Sequence, residues 1–218
     1  MSFGKNAPEG FVENSSRISA TCNTQDFFHD IQSGYATSIF TGDPVTDALG
    51  YIVRATPGTG GAALNAVTGV FKGVTFKDSN NELRFYPYWA ANTATSNTEA
   101  AKAYVIDDPY IVFTIQVGSS DGGTPPTATR AHITQNANYS FGAGGSTFSG
   151  KSGAYLDIFS VGTGATLNCK ILEITPGYSA ALGLTDFNPE NALSQNYNNV
   201  NVIFNNHKYK GGTGTLGN

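Results

Sequence analysis

Short runs of Val, Ile, Phe, Tyr and Thr recur along the chain, each bounded by Gly, Asn, Asp or Pro. This is the pattern of strands joined by turns. The segments that carry it are YATSIFT (35–41), YIVRA (51–55), VTGVFKGVTF (67–76), LRFYPYW (83–89), AYVID (103–107), IVFTIQV (111–117), YLDIFSV (155–161), TLNCKILEI (166–174) and VNVIFNN (200–206). In IVFTIQV, strict alternation puts Ile111, Phe113, Ile115 and Val117 on one face and Val112, Thr114 and Gln116 on the other, so a half-buried strand is expected. GVTFKDSNNELRFYPYW reads as a hairpin with DSNNE at its tip, since Asn and Asp tolerate the positive φ that tight reversals need.

Helical signals are weak. TSNTEAAKAY predicts a short helical turn capped by Ser96 or Asn97, and a second is expected near Asp26. Two stretches crowded with Gly, Pro, Ser and Thr, 56–66 and 118–131, read as long surface loops, and no repeat of fixed period is present. The pattern predicts one all-β domain over residues 1–218, a compact barrel or sandwich with long loops. It consists of an N-terminal arm (1–30), a β core (31–207) and a Gly-rich C-terminal tail (208–218).

Composition narrows the partners. Hydrophobic residues make up 39% and charged residues 13% of the chain, against about 25% charged in an ordinary domain, so Asn, Ser, Thr and Gly must cover much of the surface. A net charge of -4 with scattered Lys and Arg argues against nucleic acid as a partner. The lack of a long apolar run argues against a membrane span, and the polar opening MSFGKNAPEGFVENSS against a cleaved leader. Cys22 and Cys169 are expected as buried free thiols in preference to a bridge, and two cysteines cannot supply a zinc site.

Candidate chemistry is sparse. GSTFSGKS (145–152) fits the letters of a phosphate-binding loop, but the flanking segments predict neither the buried strand before it nor the helix after it, so Gly turns and a solvated Lys151 are expected. Adjacent Asp107 and Asp108 would point to opposite faces of a strand, which suits a turn before Pro109 better than a shared proton. His29, His132 and His207 lack metal-ligand spacing, and no G-x-S-x-G elbow occurs. No catalytic residue, cofactor or metal is therefore expected. The cluster Phe85, Tyr86, Tyr88 and Trp89 is left as core, subunit contact or sugar platform.

The strings SGYATSIFTGDPV, GVFKGVTFKDSNNELRFYPYW, AYVIDDPYIVFTIQ, SGKSGAYLD, ATLNCKILEI and VNVIFNNHKYKGGTGTLGN together resemble a family of capsid decoration, or cement, proteins of tailed phages. The resemblance covers Ser33 to the C-terminus. GYATSIFTGDPVTDALGYIVRA followed by VTGVFKGV is also similar to the small β-tulip or β-clip folds of phage head proteins. The resemblance implies a β-tulip or jelly-roll-like virion protein with extended terminal arms on the capsid outer surface, made in the host cytoplasm, with the major capsid protein for partner. A homotrimer is expected as well, because copies meeting around a threefold position strengthen attachment by multivalency. It implies no catalytic residues. The candidate interface residues lie in its most distinctive pieces: Tyr86, Tyr88 and Trp89 in F-x-P-Y-W, Asn205 and His207 in F-N-x-H. A glycan-binding head or tail appendage is the alternative, and a polysaccharide-cleaving enzyme a weaker one, because no close carboxylate pair can be argued.

Overall fold

β-Branched and aromatic runs, cut by Gly and Asn at positive φ, give strands throughout, and the protein is all-β. The structure, a computed structural model, describes residues 6–17, 27–57, 66–142, 144–175, 196–211 and 217. Among the described residues the only helical pieces are short 3-10 turns.

One sheet runs β2 (Phe27–Ile31), β9 (Ala101–Ile106), β6 (Gly69–Lys77), β4 (Pro44–Ala48), β5 (Tyr51–Arg54). Every neighbouring pair in it is antiparallel. Its last strand returns beside its first, so the sheet nearly closes into a barrel. β7 (Leu83–Tyr86) pairs with the far half of β6, and a two-stranded ribbon of β3 (Ile39–Phe40) and β8 (Tyr88–Trp89) packs beside β6. Ile31, Val45, Ile52, Phe71, Val74, Ala103 and Val105 form the barrel core, and the ribbon adds Ile39 and Trp89 to it.

The other large sheet runs β11 (Asn136–Ala137), β14 (Cys169–Ile174), β15 (Asn199–Phe204), β10 (Ile111–Gly118), β13 (Tyr155–Asp157), β12 (Tyr139–Ser140). β1 (Val12–Ser16) joins it along β10. Phe113, Ile115, Tyr139, Leu156, Ile171, Val202 and Phe204 lead its core. Val70 of β6 and Ile106 of β9 belong to this second core, whereas their chain neighbours Phe71 and Val105 belong to the barrel. Alternation along β6 and β9 thus makes them a wall shared by both cores.

Several expectations are met. The β6–β7 hairpin turns at Asp78–Glu82, with Asn81 at φ 63. A 3-10 turn spans Ser96–Thr98, although Thr95, and neither Ser96 nor Asn97, stands at its N-cap. Cys169 is a buried free thiol, while Cys22 lies outside the described residues.

Four expectations need correction. Asp26, near which a helical turn was expected, lies outside the described residues, and from Phe27 the same segment is strand β2: its backbone pairs with β9 from Phe27–Val105 to Ile31–Ala101, and Ile31 completes the barrel core. Tertiary pairing overrides a weak local signal there. The N-terminal stretch is also more than an arm. Phe11 is buried against Phe113, Tyr139 and Phe204, at ring-centroid distances of 6.0, 5.7 and 4.8 Å, and β1 pairs with β10.

That cover changes β10 as well. Its second face is not solvated: Val112 and Gln116 are buried, and Gln116 Oε1 accepts a 2.9 Å bond from the Ala7 N–H. Gly10, at φ +75, sits so close to Gly42 O and Ser152 that a Cβ there would fall 2.6 Å from each. Finally, the first part of the tail is fastened. Lys208 N–H donates to Val67 O at 2.9 Å, and its Nζ donates to Asp47 O at 2.8 Å. Gly217 N–H donates to Thr163 O at 3.0 Å, while 212–216 lie outside the described residues.

Candidate functional site

The hairpin that the sequence marks most clearly also carries the most unusual surface. Its tip is built around Asp78, whose Oδ1 accepts the N–H groups of Asn80 and Glu82 at 2.9 and 3.1 Å. Oδ2 accepts from Arg84 Nε at 2.8 Å, and a terminal guanidinium nitrogen of Arg84 also pairs with Glu82. The Arg84 bond, followed by the turn N–H bonds, holds the Asp78 carboxyl below its ordinary range.

All four residues of β7 are exposed. Among the described residues no strand pairs with its outer edge. Alternation gives β7 two different faces.

On one face stand Leu83 and Phe85, 73% and 65% exposed. The Phe85 ring lies over Gly73, where a Cβ would come 3.3 Å from its tip, and meets Tyr104 at 5.8 Å. Tyr104 in turn meets Phe28, 65% exposed, at 5.0 Å, and its hydroxyl is 3.0 Å from Thr75 Oγ1. A row of rings therefore crosses the outside of the barrel from β2 over β9 and β6 to β7. Exposed apolar groups that touch one another in this way mark interaction surfaces, whereas single exposed rings are ordinary.

On the other face stand Arg84 and Tyr86. Tyr86 stacks on Phe76 at 5.9 Å and lies 6.5 Å from Tyr88, whose ring stacks on Phe40 at 5.4 Å. Phe76 rests edge-on against Trp89 at 5.7 Å. Arg84, Tyr86, Tyr88 and Phe76 border a cavity of about 470 Å³ whose rim includes Asp78 and Ser79.

The expected interface residues separate accordingly. Tyr86 and Tyr88 come together at the cavity. Trp89 is fully buried beneath them, its Nε1–H donating to Tyr35 O at 3.1 Å, so it is core and offers no surface. Asn205 and His207 are buried elsewhere. Asn205 Nδ2 donates to Ala165 O and Leu167 O at 3.3 and 3.2 Å, and His207 Nδ1 accepts from Tyr209 N–H at 3.2 Å. They were expected at an interface for their place in the F-N-x-H piece, but Asn205 satisfies interior carbonyls and His207 caps a turn. Phe28, Leu83 and Tyr104 escaped the sequence reading; the alternation of LRFY was the available signal for Leu83.

The phosphate-loop letters fold as a tight turn, with Gly150 N–H donating to Ser146 O at 2.7 Å. No helix follows: the next element is the strand Tyr155–Asp157. Lys151 Nζ lies 3.0 Å from Glu9, and Ser152 is buried and donates to Asp43. Here the structure holds a cavity of about 600 Å³, bordered by Glu9, Gly145, Lys151 and Tyr155.

Asp108 takes the expected turn role, accepting from Tyr110 N–H at 2.8 Å, whereas Asp107 pairs with His29 Nε2 at 3.2 Å. Partial burial pushes the Asp107 carboxyl up, against the lowering pull of His29. Among the described residues no group of three or more His, Cys, Asp or Glu side chains could hold a metal ion, and no helix is long and apolar enough to cross a membrane. Comparison with protein-family models, with curated proteins and with solved structures finds no match to the chain.

Proposed function

We propose that the chain is a virion structural protein that decorates a tailed-phage capsid and stabilises it by bridging capsid subunits. The observation that carries this reading is the row of rings Phe28–Tyr104–Phe85, exposed at both ends, flanked by Leu83 and by the outer edge of β7, with which no strand pairs among the described residues. Such a face offers apolar area for burial against a partner and main-chain groups for strand addition. It sits on a barrel wall whose rings are already ordered by packing on Gly73 and Thr75, so little conformational entropy is lost on docking.

The proposed mechanism is preferential binding to the assembled shell. A subunit that contacts neighbouring capsid proteins binds the shell and not the free subunits, and each bound copy stabilises the assembled state by mass action. Copies meeting as a homotrimer would multiply this through effective concentration. The low share of charged residues suits the reading, because Asn, Ser and Thr hydrogen-bond across a contact without burying charge.

The test is to strip particles of the protein and add back wild type or Phe28→Ser/Phe85→Ser, then measure the temperature of DNA release. Wild type should restore the higher temperature and the double variant should not bind. Equal release temperatures for stripped and decorated particles would end the reading.

A further inference from the structure

The cavity on the opposite face of β7 has a chemistry of its own, and we propose that it is a binding site for a neutral pyranose sugar. The inference goes beyond capsid decoration and does not depend on it. At about 470 Å³ the cavity falls within the roughly 300–1,000 Å³ range of small-molecule sites.

Three rings border it: Phe76, Tyr86 and Tyr88. Tyr86 and Phe76 are nearly parallel, at 28°, and Trp89 supports Phe76 from the core. The wall is thus fixed before any ligand arrives. A flat aromatic wall complements the face of a pyranose ring on which its axial C–H bonds gather, because both are apolar and planar.

The polar groups are equally fixed. Arg84 uses two of its five N–H donors on Asp78 and Glu82, which lock its plane and leave the others for a ligand. Among the described residues neither the Tyr86 nor the Tyr88 hydroxyl has a hydrogen-bond partner, so both offer a donor and an acceptor.

Charge selects among ligands. On the rim Asp78 and Arg84 cancel, and the same guanidinium is also held by Glu82, so no free positive charge is left to recruit phosphates, nucleotides, uronic acids or sialic acid. A cationic ligand would have to displace Arg84 from two ion pairs. Rings beside a neutralised fork of donors and acceptors fit an uncharged polyhydroxyl ring with one apolar face.

The experiment is saturation-transfer NMR and calorimetric titration of the full chain with methyl glucoside, galactoside and mannoside, with maltose, cellobiose and lactose, and with glucuronate and sialyllactose as anionic probes. At least one neutral sugar should bind with a Kd of about 1 mM or tighter, with saturation strongest on its axial protons, and the anionic probes should not. Tyr86→Ala and Ser79→Trp, which remove the wall and fill the mouth, should each weaken binding about tenfold or more, whereas Phe85→Ala on the other face should leave it unchanged.

Failure of every neutral sugar to bind would overturn the proposal. So would binding that survives both Tyr86→Ala and Ser79→Trp, or binding of the anionic probes alone. Near-ultraviolet circular dichroism of each variant confirms that the fold is intact. Because Phe85→Ala damages only the ring row, loss of shell attachment and loss of sugar binding are separately readable.

Discussion

Ser152 donates its hydroxyl to the buried carboxylate of Asp43, joining two positions 109 residues apart. Phe40 N–H donates to the other oxygen of Asp43 at 2.9 Å, and Ala154 N–H donates to Ser152 Oγ at 2.9 Å. The last residue of a motif that spells a phosphate loop thus fastens the turn after β3 to the segment before β13. Ser152→Ala removes one partner of a buried carboxylate and should cost about 1–3 kcal/mol in urea unfolding at pH 7.

Burial raises the Asp43 carboxyl above its usual value of 3.8, overcoming the bonds from Phe40 and Ser152 that act the other way. A carboxyl raised in the folded state binds its proton more tightly there than in the unfolded chain. Its contribution to stability is therefore full below the unfolded value and fades as pH rises through the folded one. Asp43→Asn, which keeps a bond acceptor without the charge, should gain on wild type as pH climbs from about 4 towards 7. Chemical unfolding of both proteins across that range measures the difference; a gap that does not widen with pH would refute it.

His207 has the opposite sign. Burial lowers its pKa from 6.5 to about 4, so the folded state takes up its proton later than the unfolded chain does as the solution is acidified. Stability held at neutral pH should fall between pH 6.5 and 4, by about 3 kcal/mol at about 1.4 kcal/mol per unit. His207→Asn can still accept from Tyr209 N–H as a turn cap. That variant should flatten the acid limb of a stability-versus-pH curve, and an unchanged limb would place the acid sensitivity elsewhere.

Trp89 and Phe85 stand four positions apart and should behave differently. Trp89→Ala empties the centre of the barrel core and should cost about 3–5 kcal/mol. Phe85→Ser removes a ring that is 65% exposed and should cost under about 1 kcal/mol. Thermal melts of the two variants decide the matter. A Trp89 substitution is consequently unsuited to probing binding, since unfolding would mimic its loss.

Lys208 ties the end of the chain to the barrel through Val67 O, Asp47 O and the Asp47 carboxylate, the last at 3.5 Å. Truncation after His207 should lower the melting temperature measurably, with Lys208→Ala reproducing part of the loss. Identical melts for all three chains would show these bonds to be worth nothing.

Much of the fold was legible because apolar and turn residues follow strand periodicity: IVFTIQV, LRFY and the DSNNE tip all read directly. β1 and β2 were not, since VENSS is polar and FFHDI is short, and each becomes a strand only by pairing with β10 or β9. For the candidate site, Tyr86 and Tyr88 were found by their clustering. Asn205 and His207 misled because they were chosen for standing in the distinctive string F-N-x-H, which does not separate a polar residue that satisfies an interior carbonyl from one that meets a partner. The Phe28–Tyr104 contact joins residues from strands far apart in sequence, so no local pattern announced it.

β6 and β9 lend one side of their residues to each interior, Phe71 and Val105 inward, Val70 and Ile106 outward. Neither interior can lose this partition without exposing the other. Amide exchange along these two strands should therefore be the slowest in the molecule and should report a single melting event, with thermal damage to either half spreading to the whole.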